Sequence, residues 1–143
     1  MQRTATAVWN GSLREGSGNI SSQSGVLTNA PYSFATRFEN AKGTNPEELI
    51  AAAHAGCFTM ALDAQLATMH FTPEKLQTTA TVTLDKIDTG WAITKVHLDV
   101  TAQLRGITAS AFEAATVSAK ENCPVSRLLK AEITMTAHLE QAA

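Results

Sequence analysis

A chain of 143 residues has room for one well-packed core and not for two, so a single domain spanning 1–143 is expected, with one site per subunit. Its 11 basic and 13 acidic residues leave a net charge of -2 at pH 7. They are spread without a run of one sign, which argues against nucleic acid as a partner. The alternating start, Met1 to Trp9, lacks the apolar core of a secretory signal, and no stretch is expected to approach membrane-spanning length, so no membrane partner is expected. The expected address is the cytoplasm, where two cysteines would form only a transient, chemically active disulfide.

Thr4 to Asn10 alternates, Ser17 to Leu27 is polar and broken by glycines, and Pro31 to Phe38 alternates again. This pattern predicts three short strands in a meander. Asn45-Pro46-Glu47-Glu48 then reads as a helix start, with Asn45 as cap, Pro46 in the first position and Glu48 closing a capping box. The helix is expected to run to about Met69 and is apolar almost all round, which suits a core or an interface. Thr79–Leu84 and Ala92–Val100 predict a long antiparallel hairpin across Asp88-Thr89-Gly90. A second helix opens at Thr108-Ala109-Ser110 and must end near Asn122, because Pro124 restricts the residue before it. A short helix over 125–130 and a strand over 133–139 complete an α+β arrangement.

Two thiols stand out. Cys57 lies in the middle of the long helix, whereas Cys123 lies at a helix break, just before a proline able to begin the next helix. Unpaired backbone N–H groups at a helix start lower a thiol pKa, so local physics favours Cys123 as the more reactive; Cys57 would need a cation brought from elsewhere. Glu48 can be used by the cap, which leaves Glu47 free to point into a site. Glu47 and Cys57 are about 15 Å apart along one straight helix, so they meet only through a bend or a partner subunit. Arg37, and Arg14 in a glycine-rich turn, are the candidate cations. His54 and Cys57, at i and i+3, with Cys123 and His70, would be the components of a zinc site, but the paired short spacings of structural zinc modules are missing. His54 reads instead as a packed or interface histidine. No Cys-x-x-Cys, phosphate-binding glycine loop or Gly-x-Ser-x-Gly elbow is present.

The run from Phe34 to Glu39, the segment Lys42-Gly43-Thr44-Asn45-Pro46-Glu47-Glu48 through His54-Ala55-Gly56-Cys57-Phe58 to Leu62, and Cys123-Pro124-Val125-Ser126-Arg127 resemble the signature of the OsmC/Ohr family of organic hydroperoxide reductases, the OsmC branch above all. Trp9-Asn10-Gly11 and Thr83-Leu84-Asp85-Lys86 extend the likeness over nearly the whole chain. The resemblance implies an OsmC-like α+β fold, with antiparallel sheets packed around a long central helix, in an intertwined homodimer. It implies that Cys57 is the peroxidatic thiol and Cys123 the resolving one, reversing the ranking from helix ends. Arg37 would hold the Cys57 thiolate and Glu47 would hold Arg37, with Arg14 the alternative cation and Glu47 able to serve the partner subunit. Phe58 and Met60 are expected to line an apolar substrate pocket. The substrate would be an organic hydroperoxide and the electron donor an external dithiol, a lipoylated protein or another small dithiol, with no metal, flavin or haem. A non-enzymatic thiol sensor or stress protein of the same fold is the rival reading.

Overall fold

The computed structural model describes residues 1–141, which divide into two compact units, one up to Leu49 and one from Ile50. In the first unit, β1 (Ala5–Asn10), β2 (Ser17–Ser22) and β3 (Ala30–Ser33) form an antiparallel sheet in the order β1-β2-β3. Gly18 pairs with Trp9 on one side and Tyr32 on the other. A Cβ at position 18 would stand 2.2 Å from the Val8 carbonyl oxygen and 2.6 Å from the Tyr32 ring. The missing side chain lets the Trp9 and Tyr32 rings meet across the strand, with centroids 5.3 Å apart.

The third strand is shorter than the alternation over 31–38 predicts. It stops at Ser33, and Phe34–Phe38 form a helical turn, α1. The reason is a capping box: Ser33 Oγ accepts from the Thr36 N–H at 3.2 Å while Thr36 Oγ1 accepts from the Ser33 N–H at 2.8 Å. Thr36 Oγ1 also reaches the Thr44 carbonyl at 2.8 Å, and the Thr44 N–H donates to Pro31 O at 2.9 Å. Gly43, at φ 151°, fits beneath this knot, where a Cβ would come within 2.6 Å of Thr36 Cγ2. Asn45 then caps the long helix α2 (Pro46–Thr68), its Oδ1 accepting from the Glu48 N–H at 2.8 Å, as the sequence indicates. Its Nδ2 bonds the Thr36 carbonyl at 3.3 Å, tying the first turn of α2 to α1. The Glu48 carboxylate meets the Thr44 hydroxyl at 3.1 Å rather than the cap's own backbone.

In the second unit, β4 (Lys75–Ile87) and β5 (Gly90–Leu104) form the expected hairpin, longer at both ends than predicted and closed by the two residues Asp88 and Thr89. The final strand, β6 (Glu132–Gln141), pairs with β5 in parallel, so this sheet is mixed and not antiparallel throughout. The physical reason is the connection: between β5 and β6 run α3 (Ala109–Asn122) and α4 (Pro124–Leu128), long enough to carry the chain back to the start of the sheet. On β5, Val96, Leu98, Val100, Ala102 and Leu104 alternate into the core, where they join Phe58, Leu62 and Leu66 of α2 and Phe112, Ala115 and Ala119 of α3.

By length and composition α2 could cross a membrane, its most apolar window reaching a mean hydropathy of 1.3, which corrects the expectation that no segment would. Its apolar character is nonetheless used in a protein core: the fully buried residues His54, Phe58, Leu62 and Leu66 recur every four positions as one stripe, and Thr59 Oγ1 donates to Thr78 Oγ1 of β4 at 2.8 Å. The rest of the helix is less buried, Met60 being 77% exposed. Leu62→Ala removes a fully enclosed side chain and is expected to destabilise the protein by about 2–5 kcal/mol, read as a lowered urea midpoint with an unchanged slope.

Candidate active site

Cys123 terminates one helix and begins another. Its N–H donates to Ala119 O at 2.9 Å, closing α3, and its carbonyl accepts from the Arg127 N–H at 3.0 Å, opening α4. Pro124 follows as the first residue of α4, where the absent N–H costs nothing. Two consequences are chemical. The Cys123 side chain is fully buried, and it lies against Cys57 of α2 with the two sulfur atoms 3.1 Å apart, both as free thiols. At that separation a disulfide needs only a small further approach to the roughly 2.05 Å S–S bond length.

The two sulfurs are not equivalent. Burial pushes the Cys57 thiol upward, and the neighbouring Cys123 adds to that, against one backbone N–H from Val125. Burial also raises Cys123, but the backbone N–H groups of Ser126 and Val125, the Ser126 hydroxyl and Cys57 outweigh it, and its net shift is downward. Within this unit Cys123 is therefore the more acidic of the two thiols, the order that helix-end physics anticipates.

The other two predicted residues lie together in the first unit. Arg37, in the last turn of α1, presents Nε and Nη2 to the Glu47 carboxylate, with Nη2 2.6 Å from Oε1 and Nε 3.1 Å from Oε2. This is a bidentate pair with geometric specificity. The Glu47 side chain is 12% exposed and that of Arg37 38%. The pair exists because the Ser33 box stops β3 and the Asn45 cap starts α2 within hydrogen-bonding reach of it. The Arg37 guanidinium also lies 5.4 Å from the Phe38 ring centroid.

Beside Arg37 is an apolar cavity of about 290 Å³ lined by Trp9, Leu13, Tyr32, Phe34, Phe38 and Pro46. These aromatics were not identified as site residues from the sequence; the available signal was their concentration in a short, otherwise polar N-terminal segment. Phe58 and Met60, expected to line a pocket, do not line this cavity: Phe58 is fully buried in the core of the other unit and Met60 points outward. Arg14 does not reach Glu47 and instead lies 5.4 Å over the Phe34 ring.

His54 is fully buried. Its Nε2 is 2.8 Å from Ser126 Oγ, and among the described residues no three His, Cys, Asp or Glu side chains gather to hold a metal.

Two thiols in contact at a helix break, one buried and one half-buried, carried on an α+β scaffold of a long helix and two three-stranded sheets, define a dithiol protein. The OsmC-like protein family matches residues 39–138. Peroxiredoxin OsmC of Escherichia coli (strain K12) is 51% identical over 140 residues, covering 98% of each chain. The organic hydroperoxide resistance protein OhrA of Bacillus subtilis (strain 168) is 37% identical over 99 residues, 66% of each chain. Among solved structures, the organic hydroperoxide resistance protein OhrB of Bacillus subtilis superposes with a TM-score of 0.71 at 26% identity, over 96% of this chain and 98% of that one. An OsmC-like protein from Vibrio cholerae shares the fold with a TM-score of 0.77 at 19% identity, over 96% of this chain and 99% of the other. The chain belongs to the OsmC-like family.

Burial lowers the pKa of His54 below its ordinary 6.5. The unfolded chain therefore binds a proton that the folded chain refuses as pH falls through that value, and the associated stability is complete above it and declines below it. Urea midpoints measured from about pH 7.5 down to about pH 5 are expected to fall, and to fall less steeply in His54→Gln.

Proposed function

We propose that this protein is a cysteine-based peroxidase that reduces organic hydroperoxides to alcohols, and hydrogen peroxide less well. The observation that carries the reading is the 3.1 Å contact between Cys57 and Cys123. Its kinship with Peroxiredoxin OsmC over nearly the whole chain supports it. In the first step the Cys57 thiolate attacks one peroxide oxygen; the O–O bond breaks, and the departing alkoxide takes up a proton and leaves as the alcohol. Cys57 is left as a sulfenic acid, oxidised by two electrons. Cys123 then attacks the Cys57 sulfur, the S–O bond breaks, and hydroxide leaves with a proton as water. An external dithiol, a lipoylated protein or another small one, reduces the resulting disulfide and is itself oxidised.

Cys57 attracts too little help from its own surroundings to be the first nucleophile, since burial raises its pKa. Arg37 supplies the missing cation, with Glu47 fixing the guanidinium; Nε and Nη2 serve Glu47, and Nη1 makes no hydrogen bond among the described residues. In a homodimer Arg37 and Glu47 of one subunit serve the Cys57 of the other. The aromatic cavity beside Arg37 then receives the organic part of the peroxide, which favours alkyl hydroperoxides over hydrogen peroxide. The setting is the cytoplasm under oxidative or osmotic stress.

With tert-butyl hydroperoxide and a small dithiol as reductant, turnover is expected to vanish in Cys57→Ser and to become limited by recycling in Cys123→Ser. Oxidation that stops after one equivalent in the unsubstituted protein would instead establish a non-enzymatic thiol sensor. Arg37→Ala is expected to raise the pH at which Cys57 is alkylated and to slow turnover by about tenfold or more; an unchanged alkylation profile would transfer the role to Arg14.

A further inference from the structure

His54 is out of keeping with the stripe it belongs to. The fully buried positions of α2 are His54, Phe58, Leu62 and Leu66, and an apolar side chain at 54 would complete the stripe without enclosing a polar ring. Among the described residues, His54 Nδ1 is the single buried side-chain nitrogen or oxygen that lacks a hydrogen-bond partner. The other ring nitrogen, Nε2, lies 2.8 Å from Ser126 Oγ of α4, and Ser126 is itself 8% exposed. The core thus keeps an incompletely satisfied polar residue, and with it one directional bond between α2 and α4.

That bond has a fixed relation to the thiols. Cys57 follows His54 by three residues on α2, and Cys123, the cap of α4, precedes Ser126 by three. Residues three apart share a helix face and are separated by about 4.5 Å along its axis. The 3.1 Å sulfur contact and the 2.8 Å bond between His54 and Ser126 are therefore two rungs between the same two helices, about one turn apart, with 57 opposite 123 and 54 opposite 126. The second rung matters because α4 is five residues long and has little apolar anchorage. Arg127 is exposed and Leu128 is 77% exposed, while Val125 and Leu129 are only half-buried against the core. Apolar burial is non-directional and lets such a segment slide. A buried hydrogen bond between named atoms fixes its register.

We propose that His54 and Ser126 are positioning residues for the resolving step: the hydrogen bond between them holds the register of α4 on α2, so that Cys123 Sγ stays within reach of the Cys57 sulfur. The inference deepens the peroxidase reading, and its catalytic use rests on that reading. In the step it serves, the Cys123 sulfur forms the S–S bond, the S–O bond of the Cys57 sulfenic acid breaks, and the departing hydroxide leaves as water with the proton that Cys123 gives up. The oxidising equivalents are those already stored on Cys57, and neither His54 nor Ser126 exchanges a proton. The sulfurs have to close from 3.1 Å to about 2.05 Å. A displacement of about 1 Å in the other direction is enough to slow such an intramolecular step by about a hundredfold.

The test is the dithiol–disulfide equilibrium of the whole protein against dithiothreitol, in which Cys57 and Cys123 are oxidised to their disulfide as oxidised dithiothreitol is reduced. Alkylation of the remaining free thiols reads the equilibrium constant in the unsubstituted protein, His54→Leu, Ser126→Ala and the double variant. Each single substitution is expected to lower the constant for disulfide formation by about tenfold. The double variant should fall no further, because either change removes the same bond. A group that only stabilises the fold supports the reduced and the oxidised forms alike and leaves this equilibrium where it was. An unchanged constant in Ser126→Ala therefore overturns the proposal, as do losses that add in the double variant. Ser126→Ala removes only a hydroxyl and decides the matter alone if His54→Leu does not fold. No peroxide enters the measurement, so a failure of peroxidase turnover is read separately from a failure of this register.

Discussion

At Cys123 the chain stops α3 and starts α4 in consecutive residues, because Pro124 cannot continue the first helix and is well suited to begin the second. The thiol arrangement follows from that break. It buries the Cys123 sulfur at the start of α4 and sets it 3.1 Å from that of Cys57. The stripe of α2 that packs on β5 supplies the counterpart, since His54, Phe58, Leu62 and Leu66 are anchored in the core and Cys57 stands beside the first two of them. A chemically labile pair is thus held by rigid neighbours, which suits a disulfide that must form and be reduced repeatedly.

The electrostatics of the four predicted site residues divide into two local solutions. The pKa of the Cys123 thiol is lowered by neutral neighbours, with no counter-ion among the causes. Arg37 is served by a carboxylate, and the bidentate geometry removes much of the freedom a long side chain would otherwise have. The contrast explains why the thiol with the lower pKa in its own unit is the one assigned to the second chemical step. On the proposed mechanism Cys57 takes its cation from Arg37, which Glu47 holds in place.

The aromatic cavity illustrates how sheet register creates chemistry. Trp9 and Tyr32 come together only because Gly18 lies between them in the register of β1, β2 and β3. Phe34 and Phe38 enter because the chain leaves the sheet at Ser33 and coils once, which puts these two rings 4.7 Å apart on one side of α1. Continued strand over 34–38 would have alternated these side chains with Ala35 and Arg37 on opposite faces, and the apolar wall beside Arg37 would not exist.

Much of this was legible in the residues themselves. The Asn45–Pro46 start of α2, the Asp88–Thr89 hairpin and the break before Pro124 are local features, decided by capping groups, turn chemistry and the missing proline N–H, and they stand in the structure where the sequence puts them. The family motifs pointed to both thiols, Arg37 and Glu47, and the structure brings these together as two pairs, Cys57 with Cys123 and Arg37 with Glu47. Other features depended on contacts between distant residues. The alternation over 31–38 reads as strand until Thr36 is seen bonding both Ser33 and Thr44. The parallel pairing of β6 depends on where α3 and α4 return the chain. The bond from His54 to Ser126 joins residues 72 positions apart. The sequence by itself determined the elements and the reactive side chains, because caps, prolines and thiols act within a few residues. Tertiary structure alone decided which ring nitrogen lies unpartnered and which aromatics share a cavity, because each of these depends on burial and on partners brought together by folding.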